Sequence, residues 1–244
     1  MAQTYGPRII TDDLVCSFDG RLNKCYPGSG TTLFNMGSSN ANFTLNGATV
    51  DSNGDLVLAG QGTADGVTHG DNIAVDWSLT NLQNYTGGVT YEIWINPGIA
   101  GRRALFYGSD TINHLEIYGD EATVRTEARY ENGYSFGATG LGGGFPVGEW
   151  TLLTIVFAPH DTIRPVYWYI NGVLEYTKTN FHSGTTGTGE GFYFSNIGRS
   201  TGNTSYLYAK SFLGKLNCFR VYGKSFNANE VMLNYNAVKR RFGK

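Results

Sequence analysis

Apolar and polar residues alternate along several short stretches of this chain, which is the pattern of half-buried β-strands. Residues 89–96 place Val89, Tyr91, Ile93 and Ile95 on one face. Residues 122–130 alternate small or apolar residues with charged ones, and 151–157 are apolar almost throughout. A short continuous apolar run is typical of a central strand that is covered on both faces. The pattern therefore predicts strands, with one central strand at 151–157.

Asn-Gly pairs mark two of the connections between these strands. Asn132-Gly133 follows the strand ending near 130, and Asn171-Gly172 joins 166–170 to 173–176. Such pairs favour type I′ hairpin turns, because both residues tolerate a positive φ. Residues 213–222 form the last predicted strand. The glycine-rich stretches 137–144 and 183–191 are predicted to be loops at the rim of a sheet.

One helix is predicted near the end of the chain. Asn227 precedes Glu230 by three residues, as in a capping box, and Val231, Tyr235 and Val238 then share one helical face. Glycine (34 residues) and aromatic residues (14%) are abundant, which favours short strands and tight turns. A chain of 244 residues can form one β-sandwich, so we expect a single all-β domain with one short C-terminal helix.

Charge and cysteine content exclude several classes of protein. The net charge of −2 gives no basic field for nucleic acid, and no apolar run approaches the ~20 residues of a membrane-spanning helix. The first residues lack the pattern of a signal peptide, so we expect synthesis in a cytosol. Three cysteines form neither a disulfide framework nor a zinc site. Cys16 and Cys25 could pair if the segment between them folds back, but we expect reduced thiols.

Several segments, in order, resemble the laminin G-like branch of the concanavalin A-like lectin/glucanase superfamily. The resemblance rests on the strands at 149–157, 166–175 and 212–222, on Asn196-Ile197-Gly198-Arg199, and on the capped helix at 226–235. It implies a two-sheet antiparallel jelly-roll sandwich spanning residues 1–244, with an N-terminal arm (1–12) and a basic C-terminal tail (239–244).

Residues 13–40 and the ending 234–243 are similar to phage versions of this domain. That similarity implies a non-enzymatic virion structural protein, made in the host bacterial cytoplasm and displayed on the particle as a capsid decoration, head fibre or tail component. Its partners would be other capsid or tail subunits in an oligomer or lattice, with host-surface polysaccharide as a further ligand. A stand-alone carbohydrate-binding lectin or adhesin, and a glycan hydrolase, are the alternatives.

The sequence does not support catalysis. The best acidic stretch, 115–121, places Glu116 and Glu121 on opposite faces of a regular strand, whereas a retaining glycosidase needs two neighbouring carboxyl groups. Gly-x-Ser-x-Gly occurs at 133–137 and 198–202, but neither copy lies between a strand and a helix as a nucleophile elbow requires. We therefore predict no enzymatic activity.

Candidate binding residues come from two clusters. Tyr130, Asn132 and Tyr134 surround a hairpin tip and could contact a glycan, although a cross-strand tyrosine pair in the core explains the two tyrosines equally well. No cofactor is predicted. Oxygen-bearing residues that could hold Ca²⁺, but serve equally in turns, are Asp51, Asn53, Asp71, Asn72 and Asp110.

The tail carries Lys239, Arg240, Arg241 and Lys244. It is either a solvated chain end or a peg that docks on an acidic surface of another virion subunit. Under the second interpretation, the segment that begins at Tyr5 is a further anchor.

Overall fold

A computed structural model describes residues 8–59, 71–80, 84–99, 101–107, 114–119, 124–130, 134–141, 145–159, 163–182, 196–198 and 210–244. The strands, in chain order, are β1 (Leu14–Phe18), β2 (Thr32–Leu33), β3 (Phe43–Asn46), β4 (Thr49–Val50), β5 (Leu56–Leu58), β6 (Asn72–Ala74), β7 (Val89–Pro97), β8 (Gly101–Tyr107), β9 (His114–Gly119), β10 (Val124–Tyr130), β11 (Tyr134–Leu141), β12 (Thr151–Phe157), β13 (Ile163–Ile170), β14 (Val173–His182), β15 (Asn196–Ile197), β16 (Lys210–Ser211) and β17 (Gly214–Tyr222). Helix α1 (Ala228–Val238) follows, and 3₁₀ turns occupy Trp77–Leu79 and Lys239–Phe242.

The strands form two sheets. Sheet A has the order β14-β13-β12-β7-β17-β5-β4, with β1 also paired to β17. Sheet B has the order β11-β10-β9-β8-β15-β6-β3-β2, with β16 also paired to β8. Strand pairing is antiparallel throughout the described residues except between β16 and β8. Neighbours in each sheet are often distant in sequence, as in a jelly roll, so the predicted all-β sandwich with one C-terminal helix is confirmed.

The predicted strands correspond closely to observed ones. The predicted central strand is β12, an interior strand of sheet A that pairs with β7 and β13. All seven of its residues are buried. Asn171 (φ 50°) and Gly172 (φ 83°) turn the chain between β13 and β14 with the positive angles of a type I′ turn. Residues 131–133 lie outside the described part of the chain, but β10 and β11 pair as a hairpin around them.

One loop prediction is wrong. We expected a loop from 137 to 144, but β11 continues to Leu141. Gly137 and Thr139 stand opposite Glu127 and Arg125 in the ladder with β10. Pairing with a neighbouring strand outweighs the weak strand preference of glycine, and the sequence of one segment does not show that pairing.

The main core lies between the sheets, and aromatic rings connect them. Phe18 and Phe219 of sheet A meet Phe43 and Phe106 of sheet B, with ring centroids 5.1 Å apart for Phe18–Phe43 and 5.9 Å for Phe106–Phe219. These four side chains are fully buried. Edge-to-face aromatic pairs of this kind stabilise a core beyond the area that they bury.

The C-terminal helix packs on the outer face of sheet A. The Asn227 side chain accepts hydrogen bonds from the backbone N–H groups of Asn229 and Glu230 (2.9 and 3.1 Å), and Glu230 accepts one from Asn227 N (2.9 Å). The predicted capping box is therefore confirmed. Val231 and Val238 are buried as expected, and so is Asn234 on the same helical face.

Gly88 and Gly148 have nearly equal positive φ angles, but only Gly88 is crowded by neighbouring atoms. Alanine substitutions at the two positions can therefore distinguish the cost of steric crowding from that of backbone strain. A Cβ atom on Gly88 (φ 88°) would lie 2.4 Å from the Phe157 carbonyl oxygen, whereas one on Gly148 (φ 80°) would meet nothing within 4 Å. We expect Gly148→Ala to cost about 1–2 kcal/mol from the left-handed backbone alone. Gly88→Ala should cost about 2 kcal/mol more, because β12 must shift. Urea unfolding of both variants tests this; equal losses would contradict the crowding at Gly88.

Candidate functional site

The outer face of sheet A is closed by a buried polar network beneath α1. Glu92 of β7 is fully buried, with Oε2 3.4 Å from Arg220 Nη1. Asn234 of α1 donates from Nδ2 to Glu92 Oε2 and to the Tyr222 hydroxyl, both at 3.0 Å. Its Oδ1 accepts a hydrogen bond from the backbone N–H of Ile10 (2.8 Å). One amide side chain thus links the helix, two strands and the N-terminal segment.

Burial dominates the electrostatics of this network. Removal from water raises the pKa of Glu92 above its ordinary range, although Arg220 and the hydrogen bonds from Asn234 and Arg220 oppose the shift. A buried ion pair of this kind contributes little net stability. Removal of either partner is nevertheless costly, because the other is left as an unpaired buried charge. The network therefore specifies where α1 docks more than it adds to the stability of the sheet.

The C-terminal tail packs on the same face through Phe242. Phe242 is buried, with its ring 4.3 Å from Trp94 and 4.7 Å from Trp150, centroid to centroid. Arg21 lies over the Phe242 ring, with Cζ 4.6 Å from the centroid. Gly243 adopts the left-handed conformation (φ 71°) that ends the 3₁₀ turn.

The four predicted docking residues have different environments. Arg241 forms two hydrogen bonds with the Asp19 carboxylate (2.6 and 2.8 Å), and Lys244 pairs with Glu149 (2.9 Å). Lys239 lies over the Tyr235 ring, with Nζ 5.2 Å from the centroid. Arg240 is exposed. Docking of these residues on another subunit stays a prediction; Arg241 and Lys244 are exposed as well, and Lys239 is half-buried.

The predicted glycan contacts at the β10–β11 hairpin are partly described. Tyr130 and Tyr134 stand directly opposite each other in the ladder, and Asn132 lies outside the described residues. By register, these tyrosines share a face with Ala128, Leu115 and Phe106. Because Phe106 is fully buried in the main core, that face is the one turned towards sheet A. Glycan binding by the three residues stays a prediction.

The strand registers also assign residues to the opposite face of β8–β11. Directly opposed residues in antiparallel strands lie on the same face of a sheet. The registers of β8 with β9, β9 with β10 and β10 with β11 therefore place three rows of four residues across that face. We call these twelve residues the polar face: Arg102, Tyr118, Arg125 and Thr139; Ala104, Glu116, Glu127 and Gly137; and Tyr107, His114, Arg129 and Ser135.

The middle row places two glutamates directly opposite each other. The sequence alone suggested a comparison of Glu116 with Glu121, but β9 ends at Gly119 and residue 121 lies outside the described part of the chain. The register instead pairs Glu116 with Glu127 of the next strand. The alternation of 122–130 already placed Arg125, Glu127 and Arg129 on one face. Only the register between strands could show which residues they meet.

Metal binding and thiol chemistry have no support in the described residues. No group of three or more possible metal ligands occurs among them. Asp51 acts in a turn, since Oδ1 accepts from the N–H groups of Asn53 and Asp55 (2.8 and 3.0 Å) and Oδ2 pairs with Lys215. Asp71 accepts from Ala59 N, and Asn72 from Asn46. Asp110 lies outside the described residues.

The three cysteines are free and buried, in agreement with the expected reduced thiols. Burial raises the pKa of Cys25 to about 11 and that of Cys218 to about 12. The reactive thiolate form is therefore suppressed at neutral pH. Among the described helices, none is both long enough and apolar enough to cross a membrane.

A family model for the concanavalin A-like lectin/glucanases superfamily matches residues 68–232, which is more than half of the chain. The protein therefore belongs to this superfamily, in agreement with the resemblance seen in its sequence. No curated protein sequence matches the chain.

Solved structures with the same fold include two neurotoxin binding domains and one domain of an arabinanase. The binding domain of botulinum neurotoxin DC, in complex with rat synaptotagmin II, has a TM-score of 0.62 at 13% identity, over 94% of this chain and 52% of that one. Domain 4 of AbnA, a GH43 arabinanase from Geobacillus stearothermophilus in complex with arabinotriose, has a TM-score of 0.61 at 17% identity, over 93% of this chain and 100% of that one. The ligand-binding domain of botulinum neurotoxin serotype D, in complex with N-acetylneuraminic acid, has a TM-score of 0.60 at 10% identity, over 93% and 51%.

This chain spans about half the length of the neurotoxin chains and the whole of the arabinanase domain. At these identities the likeness shows a shared fold, that of lectin-like carbohydrate-binding and receptor-binding domains.

The packing of Phe242 yields a test of the tail. Phe242→Ala should lower the free energy of unfolding by about 3 kcal/mol, because it leaves a cavity between Trp94 and Trp150. Arg240→Ala in the same 3₁₀ turn is the matched control and should change stability by less than about 0.5 kcal/mol. Urea unfolding followed by tryptophan fluorescence measures both. Similar values for the two variants would show that the tail does not pack as described.

The Asp19–Arg241 pair should make stability depend on pH. Although burial opposes ionisation of Asp19, the hydrogen bonds and charge of Arg241 hold the pKa of this carboxyl below its ordinary value. A lowered folded-state pKa stabilises the fold above the ordinary value near 3.9, and that stabilisation is lost as the pH falls through the folded-state pKa. Asp19→Asn should therefore cost about 2 kcal/mol at pH 7. The cost should shrink at pH 3.

Chemical unfolding of wild type and Asp19→Asn at both pH values measures this difference. Asp12→Asn, at an exposed position, is the control for a general effect of charge. A difference that stays the same at both pH values would rule out stabilisation of the ionised Asp19 by Arg241.

Proposed function

We propose that this protein is a non-enzymatic carbohydrate-binding domain displayed on the surface of a phage particle. The observation that carries the proposal is the contrast between its two outer faces. The outer face of sheet A is closed by α1 and the tail, whereas the polar face of sheet B carries charged, aromatic and hydroxyl residues in register. Glycan sites combine such polar groups with aromatic rings.

The positions of the two terminal segments suit display. Ile9 and Ile10 pack against the clusters beneath α1, and the tail ends on the same side of the molecule. Attachment through this side would leave the polar face directed away from the particle. The virion role itself rests on the similarity of residues 13–40 and 234–243 to phage versions of the domain.

The related structures support a ligand of the carbohydrate class. The arabinanase domain, which this chain matches over its whole length, binds arabinotriose, and a neurotoxin domain of the same fold binds N-acetylneuraminic acid. We extend this property to the present chain because its polar face has the donors, acceptors and rings that sugar hydroxyls require.

Hydrolysis is the weaker alternative. Glu116 and Glu127 are partners in the ladder of β9 and β10, but a retaining glycosidase needs one of its two carboxyl groups as a proton donor. The absence of reducing-end release from polysaccharides that the protein binds would support binding without turnover, and release would revive the hydrolase.

Two measurements test the proposal. The intact protein, labelled and applied to an array of bacterial surface glycans, should bind at least one of them saturably. Cryo-electron microscopy of phage particles containing the protein should show this fold at the surface, with the side bearing α1 towards the particle. Binding to no glycan would refute the first part, and absence of the fold from the particle would refute the second.

The contribution of the tail to docking is best tested with a substitution and not with a deletion. Removal of residues 239–244 would also remove Phe242 and so destabilise the domain. Arg240→Glu reverses an exposed charge and leaves the packing intact. If the tail docks on an acidic subunit, this variant should lower the occupancy of the protein on particles several-fold. Equal occupancy would locate the attachment elsewhere.

A further inference from the structure

Three large apolar side chains are exposed together beside β1. Leu22, Phe34 and Met36 are 44, 44 and 38% exposed. The turn that contains Leu22 lies against Phe34, because Cys25 N donates to Leu22 O and Phe34 N donates to Cys25 O, both at 2.8 Å. Exposed apolar residues scattered singly are normal, whereas a contiguous group marks an interaction site. We call these three residues the apolar strip.

The side chain of Asn35 holds the segment that carries the strip against β1. Its Oδ1 accepts hydrogen bonds from the backbone N–H groups of Ser17 (2.8 Å) and Gly37 (2.9 Å). Its Nδ2 donates to Ser39 O (2.8 Å). The exposure of the strip is therefore fixed by hydrogen bonds around it. A surface that is already ordered loses little conformational entropy when it binds a partner.

One end of the strip is acidic. The segment that follows Phe34 runs antiparallel to β1, since Met36 N donates to Ser17 O (2.9 Å). Further along, Ser38 N donates to Leu14 O (2.9 Å). Residues 12–13, both exposed aspartates, come directly before β1 and so lie beyond this end.

The other end of the strip is basic. Lys24 is exposed and belongs to the turn that follows β1. Arg240 is also exposed and precedes Arg241, whose guanidinium pairs with Asp19 at the end of β1 (2.6 Å). Within the part of the chain that the structure describes, Lys24 and Arg240 form no ion pair, and neither do the two aspartates at the acidic end.

We infer that the apolar strip is the centre of a two-fold interface between two copies of this chain. A two-fold axis that crosses the strip brings the same surface of each copy together, with the two strips running in opposite directions. The basic end of each copy then faces the acidic end of the other, and Phe34 lies near the axis. This charge complementarity favours a second copy as the partner, since a parallel arrangement would oppose like charges. The inference concerns assembly and does not rest on carbohydrate binding.

The strength of the interface is limited by its small apolar centre. Stable interfaces bury about 800 Å² on each partner, and most of their energy comes from a few well-packed side chains at the centre. The strip supplies three such side chains. We therefore expect a dimer with a dissociation constant in the micromolar range, weakened by salt because its ends are held by exposed charges.

Analytical ultracentrifugation of the full chain, at concentrations from about 1 μM to about 1 mM, measures the association. Phe34→Glu places a charge at the centre of the strip. Leu174→Glu, at a similarly exposed residue of β14 (48%), is the matched control. Lys24→Glu and Asp12→Lys each reverse one charge at opposite ends, and these two variants are studied singly and mixed. Because all four positions are exposed, circular dichroism should show the wild-type fold for each variant.

We expect wild type to dimerise, Phe34→Glu to weaken the association at least about tenfold, and Leu174→Glu to leave it unchanged. Each charge reversal should weaken self-association about fivefold. A mixture of Lys24→Glu and Asp12→Lys should instead form a heterodimer as tight as the wild-type dimer. In that heterodimer the two reversed charges attract each other, and the unchanged pair at the other end is retained.

A wild type that stays monomeric over the whole range would overturn the inference. A dimer that is lost in Leu174→Glu and kept in Phe34→Glu would overturn it as well, by placing the contact on the opposite edge of sheet A. A mixture of the two charge variants that associates no better than either alone would exclude the two-fold arrangement. Glycan binding is measured separately on an array, and its absence would contradict only the proposed function.

Discussion

The packing of the last eighteen residues on sheet A organises the rest of this molecule. Glu92 and Arg220 lie fully buried on what would otherwise be the outer face of a sandwich, where charged residues would contact water. Beneath α1, Glu92 Oε2 accepts hydrogen bonds from Arg220 and from Asn234, which also donates to the Tyr222 hydroxyl. An apolar half of the same contact, formed by Trp94, Leu152, Val238 and Phe242, supplies the hydrophobic stabilisation. The charged half specifies the position of α1, since any other register of the helix would leave a buried charge unpaired.

This packing divides the protein into two unlike sides. Sheet A is covered on its outer face by α1 and the tail, and even the basic tail residues Arg241 and Lys244 are engaged in intramolecular ion pairs. The polar face of sheet B lies on the far side of the sandwich core. A domain of this design can be attached through one side and bind a ligand through the other, without coupling between the two. The proposed function follows from this separation more than from any single residue.

The ending 234–243 has a folding role that its sequence motif did not reveal. Its similarity to phage proteins and its basic charge favoured a docking peg. In the structure, Asn234 binds the buried carboxylate, Tyr235 stacks on Trp94 at 5.9 Å and Phe242 on the same ring at 4.3 Å. Arg241 neutralises Asp19. Several residues of the motif therefore have a folding role, while docking of the exposed Arg240, Arg241 and Lys244 stays a prediction.

Local sequence determined the elements of this fold and the faces of its strands. The alternation at 89–96 and 122–130, the apolar run at 151–157, the Asn171-Gly172 turn and the Asn227–Glu230 cap each act within a few residues, so a single segment contains the whole signal. The tertiary structure alone decided which strands are neighbours and in what register. It brought Glu116 opposite Glu127, continued β11 through the glycines at 137 and 140, and placed Asn234 over Glu92 across 142 positions of sequence. These pairings arise from hydrogen bonding and packing between distant segments, and no property of either segment taken alone encodes them.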